Sequence, residues 1–185
     1  VVEYGYLDAV KLAGHSCPTV AGAWLMTRTA LARLYPDGTP QRGGLRVELR
    51  EAVDEGVTGV IASVAGLITG AANEGGFKGL AGRFARDGRL RFGVPMTGEI
   101  RFTRLDTSET VELAHRPQVV PRPATLATLM PQALMPGAAA ATRVATGSMS
   151  LASTGQWARR AMAMASTPEP VPMSSALRTG RVRTV

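Results

Sequence analysis

The sequence predicts an α+β domain in which helices cover one face of a small sheet. Three observations carry that expectation: two stretches with the apolar period of a helix, several short runs that alternate apolar and polar, and their order, helix, strand, helix and then three strands before Leu113. The first helix is expected over residues 17–35, where Val20, Trp24, Met26, Leu31 and Leu34 give a rough apolar stripe. Pro18 is suited to a first helical position, and Tyr35-Pro36-Asp37-Gly38 ends the pattern. Leu45-Arg46-Val47-Glu48-Leu49-Arg50 alternates cleanly and marks a half-buried strand. Its apolar face either continues to Glu51 and Val53, burying a carboxylate that then needs a partner, or stops at Arg50 and leaves Glu51 exposed.

The second helix is expected over residues 57–72. Asp54 and Glu55 sit at its start, where the helix dipole favours negative charge, and Asp54 reads as a cap. Gly66 and Gly70 would let another element approach closely. The following glycine-dense run, residues 73–79, lacks the spacing of a P-loop or a dinucleotide fold and reads as a surface turn, with an anion cradle as the alternative. Asp87-Gly88 signals a tight turn before a short strand, Leu90-Arg91-Phe92. Residues 99–105 and 110–113 alternate on either side of Asp106-Thr107-Ser108-Glu109 and read as an antiparallel hairpin.

Beyond Arg116 the character changes. Pro117, Pro121, Pro123, Pro131 and Pro136 make a linker-like region, and residues 153–166 have the pattern of one further helix. The chain therefore divides into a domain over residues 1–116 and a Pro-, Ala- and Arg-rich extension over 117–185. The net charge of +7 is uneven: from Ala141 onward six arginines face the single acid Glu169, which leaves the rest of the chain at +2. Trp157 is the only aromatic in that basic segment, so the stacking platform of a single-strand binder is missing and a nucleic-acid partner is not expected. Six of the eight methionines fall at residues 130–173 and read as gap-filling apolar contacts. Two uncharged runs fail as membrane spans: residues 57–73 are too short, and 123–142 are interrupted by Pro131 and Pro136. No membrane partner is expected. A single cysteine excludes an intramolecular disulfide framework.

That cysteine carries the chemistry. Gly14-His15-Ser16-Cys17-Pro18 sets it two residues from one of the two histidines and just before a helix, where exposed N–H groups favour a thiolate. Three readings stand: a soft N/S pair for a borderline metal such as zinc, a nucleophile with its base, or an inert helix cap. His115, after the last strand, is either a surface histidine or a further ligand. Tyr4, Tyr6 and Asp8 are placed to support His15.

The opening motif resembles the Gly-His-x-Cys-Pro-Gly signature of the formylmethanofuran dehydrogenase FmdE-like family. Glu51-Ala52-Val53-Asp54-Glu55-Gly56-Val57 resembles that family's Glu-x-x-x-Cys-Gly-Val, and Thr69-Gly70 with the Gly75–Gly79 run resembles its Thr-Gly-Cys-Thr-Phe-Gly-x-Gly-Asn. Asp87-Gly88-Arg89-Leu90-Arg91-Phe92 resembles its Asp-x-Gly-Lys-x-x-Phe. Thr19 replaces the family's Gly, Glu55 its second Cys and Ala71 a further Cys. The resemblance implies an α+β metal-binding domain, with zinc or another divalent transition metal as cofactor and His15, Cys17 and Glu55 as the ligands. Two other functions stay open: a metal-dependent enzyme with Glu51 or Glu55 as general base, and a non-catalytic accessory module that docks a protein partner through its basic tail. A homodimer is a further option. A free thiol and no visible export signal point to the cytoplasm.

Overall fold

A computed structural model describes residues 1–117, 124–137 and 181–185. In chain order the elements are β1 (Val2–Gly5), α1 (Tyr6–Ala13), α2 (Pro18–Leu34), β2 (Leu45–Leu49), α3 (Thr58–Thr69), β3 (Leu90–Arg91), β4 (Ile100–Arg104), β5 (Thr110–Leu113), α4 (Ala124–Leu134) and β6 (Arg181–Thr184). The fold is α+β, as the order of periodicities predicts. Four strands form one mixed sheet in the order β3-β2-β4-β5, with β2 and β3 parallel and the other pairs antiparallel. The hairpin of β4 and β5 turns where the sequence places it.

Because side chains alternate across a strand, register decides what each face of the sheet presents. Leu90, Val47, Phe102 and Val111 stand in one row, and Leu49, Ile100 and Leu113 in the next. These rows meet α2 and α3, which pack on each other and on the sheet. Val47, Phe102, Leu45 and Ile100 are wholly buried there. Between the two apolar rows runs Arg91, Glu48, Arg101 and Glu112, alternating in sign across all four strands. The buried Glu48 pairs with Arg46 at 3.2 Å and Arg101 at 3.7 Å, and Arg101 with Glu112 at 2.6 Å.

Helix α2 departs from the expected single stripe. Every residue from Val20 to Arg28 is buried, because α1, α3 and β5 enclose it on several sides. Helix α3 starts at Thr58 with no side-chain cap: Thr58 N–H donates to the Glu55 carbonyl, and Asp54 is exposed. The capping role expected for Asp54 is not seen. Gly70 is the left-handed end of α3 (φ +76°), its N–H donates to Gly66 O, and it also admits the close approach expected of it, from the segment at Arg42 and Gly43. Arg42 covers that end, its Nη1 donating to Leu67 O at 2.6 Å and Ile68 O at 3.1 Å. A side chain at residue 70 would meet Arg42 Cγ at 2.8 Å.

Helices α1 and α4 and strands β1 and β6 were not expected. β1 and β6 pair antiparallel, Val2 opposite Thr184 and Gly5 opposite Arg181. On the far side of β6, Val185 N–H donates to Pro40 O and its carbonyl accepts from Arg42 N–H. Val182 and Thr184 are buried, and Val182 belongs to the main core. The end of the basic extension thus returns to the body, with Arg183 paired to Glu3. The region read as a linker holds α4, whose Ala-, Leu- and Met-rich sequence favours a helix despite Pro131. The helix expected over 153–166 lies outside the described residues. Among the described residues no helix is long and apolar enough to cross a membrane.

Candidate functional site

The opening motif folds as a tight link between two helices. α1 ends at Gly14, whose φ of +76° reverses the chain, and Cys17 becomes the N-cap of α2 with extended backbone (φ −149°, ψ 169°). Pro18 takes the first helical position, as predicted, and Ala21 N–H closes the first turn on Cys17 O at 3.0 Å. Cys17 has no side-chain capping bond. It is half-buried, against the core.

His15 is exposed, with Nδ1 3.0 Å from the Ala13 carbonyl. A carbonyl only accepts, so Nδ1 is the donor of this contact and Nε2 is the ring nitrogen left facing away from the backbone. This is the orientation common in metal-ligating histidines, where one ring nitrogen is anchored to backbone and the other faces the metal. The residues expected to support His15 are engaged elsewhere. Tyr6 Oη shares a hydrogen bond with Ser16 Oγ at 2.7 Å, and its ring leans on Trp24 with centroids 6.5 Å apart. Burial raises the Tyr6 phenol, the Ser16 bond opposes that, and the charge of Cys17 adds to it. Tyr6 therefore stays protonated close to the thiol. Asp8 accepts from Gly5 N–H and faces Lys11, and Tyr4 lies under Arg42.

Glu55 sits in the exposed loop between β2 and α3, beside Arg50 and Glu51. Among the described residues no three His, Cys, Asp or Glu side chains lie together as a ligand set, so Glu55 is not grouped with His15 and Cys17. Strand β2 stops at Leu49, which leaves Glu51 pointing outward and paired with Arg50 at 2.6 Å. That pairing holds its carboxyl below the usual range, which makes it a poor proton acceptor near neutrality.

His115 is only partly exposed, and among the described residues it stands in no ligand set. Its ring is half-buried and seated on Gly22 of α2, with Nε2 3.2 Å from Pro18 O and its backbone N–H on Glu99 Oε2 at 3.0 Å. A Cβ at residue 22 would lie 2.2 Å from the ring. Facing a carbonyl, Nε2 is the donor here, where in His15 it is Nδ1. Burial lowers the His115 pKa, with Glu99 and the Pro18 bond opposing. The signal for this seat is in the sequence: a glycine inside a helix calls for a packing reason.

The glycine-dense run is not an anion cradle along most of its length. Gly75 and Gly76 donate to Asn73, Gly88 to Asn73 O, and both Arg86 and Asp87 to Phe77 O. A Cβ at Gly76 would lie 2.5 Å from Ala72 Cβ and 3.0 Å from Asp87 Cα, so the glycine allows the outgoing and returning limbs of the loop to touch. No family model, curated protein or solved structure matches the chain.

Proposed function

We propose that this is a metal-binding protein related to the formylmethanofuran dehydrogenase FmdE-like family, holding zinc or another divalent transition metal through His15 Nε2 and Cys17 Sγ. The observation that carries the reading is the His15 contact: Nδ1 lies against Ala13 O, which turns Nε2 away from the backbone, two residues from a half-buried thiol at a helix start. Imidazole and thiolate are a donor pair that suits zinc. Glu55 is the third ligand of this proposal and would have to reach the pair from its exposed loop. When bound, the metal supplies Lewis-acid character; the chain's own part is to fix the imidazole through Ala13 and to keep the thiol beside a protonated Tyr6. A thiolate ligand needs a reducing setting, and the cytoplasm is the compartment implied.

Metal content decides it. Protein purified without chelator or affinity metal is analysed by elemental mass spectrometry beside Cys17→Ser, His15→Ala and Glu55→Gln. Near-stoichiometric zinc that is lost in the first two variants and weakened in the third is the expected result. Zinc retained in both Cys17→Ser and His15→Ala, or absent from the parent protein, refutes the reading.

A further inference from the structure

The segment from Asn73 to Arg91 leaves the body after α3, returns to start β3, and exposes three large apolar side chains on the way. Leu80 is 72% exposed, Phe84 65% and Phe77 54%. Its tip is a two-residue hairpin: Leu80 N–H donates to Arg83 O at 2.8 Å and Arg83 N–H to Leu80 O at 2.9 Å, around Ala81 and Gly82 with φ of +50° and +75°. Positive φ at both central residues is the type I′ turn that matches the twist of a hairpin. Phe84 also has positive φ, +63°, an unusual state for an aromatic residue. The stem is closed by the bonds of Arg86 and Asp87 to Phe77, and of Lys78 to Asp87 at 3.3 Å. The apolar residues are therefore displayed by a hydrogen-bonded loop.

The charge around them is mainly positive. Lys78 and Arg83 are exposed beside the apolar residues, Arg86, Arg89 and Arg91 follow along the stem, and Glu74 and Asp87 are the only acids of the segment. Arg83 lies 5.7 Å from the Phe84 ring centroid. Arg89 is turned inward to the Gly43 carbonyl, and Arg91 Nε donates to Gly88 O.

From this pairing of exposed apolar side chains with a basic collar we infer that the 73–91 loop is a docking tip for an anionic phospholipid surface. Leu80, Phe84 and Phe77 enter the boundary between headgroups and acyl chains, Arg83 faces the lipid phosphates, and Lys78 does so by exchanging the Asp87 carboxylate for one. A narrow tip suits a bilayer, which offers apolar depth beneath a charged layer without needing the broad matched area of a protein interface. A lipid contact here departs from the expectation of no membrane partner, which addressed spanning segments; the tip would rest on the surface and span nothing. It does not depend on metal at His15 and Cys17.

The test is co-sedimentation of the full chain with vesicles of phosphatidylserine and phosphatidylcholine, compared with phosphatidylcholine alone. The expected result is binding to the anionic vesicles, weakened by salt, and reduced by about tenfold in Leu80→Asp. Leu80→Trp is expected to bind roughly threefold more tightly, since tryptophan favours the interface. Leu80 is exposed, so both variants should keep the parent's circular dichroism and melting temperature. No binding by the parent chain overturns the inference, as does equal binding to neutral vesicles. Binding that survives Leu80→Asp unchanged overturns it too, by placing the contact elsewhere, on the arginines that follow Ala141 for instance.

Discussion

Replacing Gly22 by alanine should destabilise the protein, and the same replacement should stabilise it once His115 is removed. The new Cβ would stand 2.2 Å from His115 Cδ2 and 2.5 Å from Nε2. Ordinary carbon contacts need about 3.5 Å, so the ring must retreat by roughly 1.3 Å. It has little freedom to do so. Its backbone N–H is held by Glu99, and retreat breaks the bond of Nε2 to Pro18 O. Overpacking of this kind costs about 1–3 kcal/mol, while alanine gains about 1 kcal/mol over glycine inside a helix. The net loss in the parent protein is therefore about 1 kcal/mol, a fall in Tm of roughly 2–4 °C for a chain of this size. In a His115→Ala background the clash is gone, and Gly22→Ala should add about 1 kcal/mol. Urea denaturation of the four proteins, followed by circular dichroism, gives the coupling of the two positions, expected to be about 2 kcal/mol. Equal stabilisation by Gly22→Ala in both backgrounds would show that the imidazole does not rest on that helix, and the account of the second histidine would fall with it.

The same histidine sets a pH dependence. Burial lowers its pKa in the folded state, so below about pH 6.5 the unfolded chain takes up a proton that the folded chain resists. The stability His115 contributes is present above that pH and lost as pH falls towards its folded pKa. Urea midpoints measured between about pH 7.5 and 5 should fall more steeply in the parent than in His115→Gln; parallel slopes would contradict the burial. The depressed carboxyls of Glu51, Asp106 and Glu112 act lower, as pH drops through about 4. At the other end of the chain, Val182→Ala should cost about 2 kcal/mol, since a side chain only 6% exposed loses two buried carbons. A melting temperature unchanged by that substitution would mean that β6 is not part of the core.

What the sequence made legible was local. Pro18 after Cys17 marked the start of α2, and alternation marked β2, β4 and β5 because each buries one face against the helices. α1 has only eight residues, too few for a periodic pattern to stand out. β1 and β6 are four residues each and take their stability from one another and from Pro40 and Arg42, none of which a local window contains. Within the candidate site, His15 and Cys17 were legible as neighbours in the chain. Glu55 was placed by motif alone, and its surroundings in space are Arg50 and Glu51. The outward turn of Glu51 rests on a strand that ends at Leu49, and both endings fit the alternation.

The pairing of β1 with β6 also bears on the order in which the molecule is made. β1 leaves the ribosome before its partner with its hydrogen-bonding edge open, and that partner follows about 180 residues later, a closure whose entropy grows only slowly with length but must be met in full before the pair forms. Until then the channel between β1 and Pro40–Arg42 is bare, and Arg42 holds the end of α3 without the strand beside it. An open edge of that kind is a template for any extended segment, including one from a neighbouring nascent chain. β6 acts as a seal on the nascent chain, and until it arrives the edge of β1 stays open to mispairing.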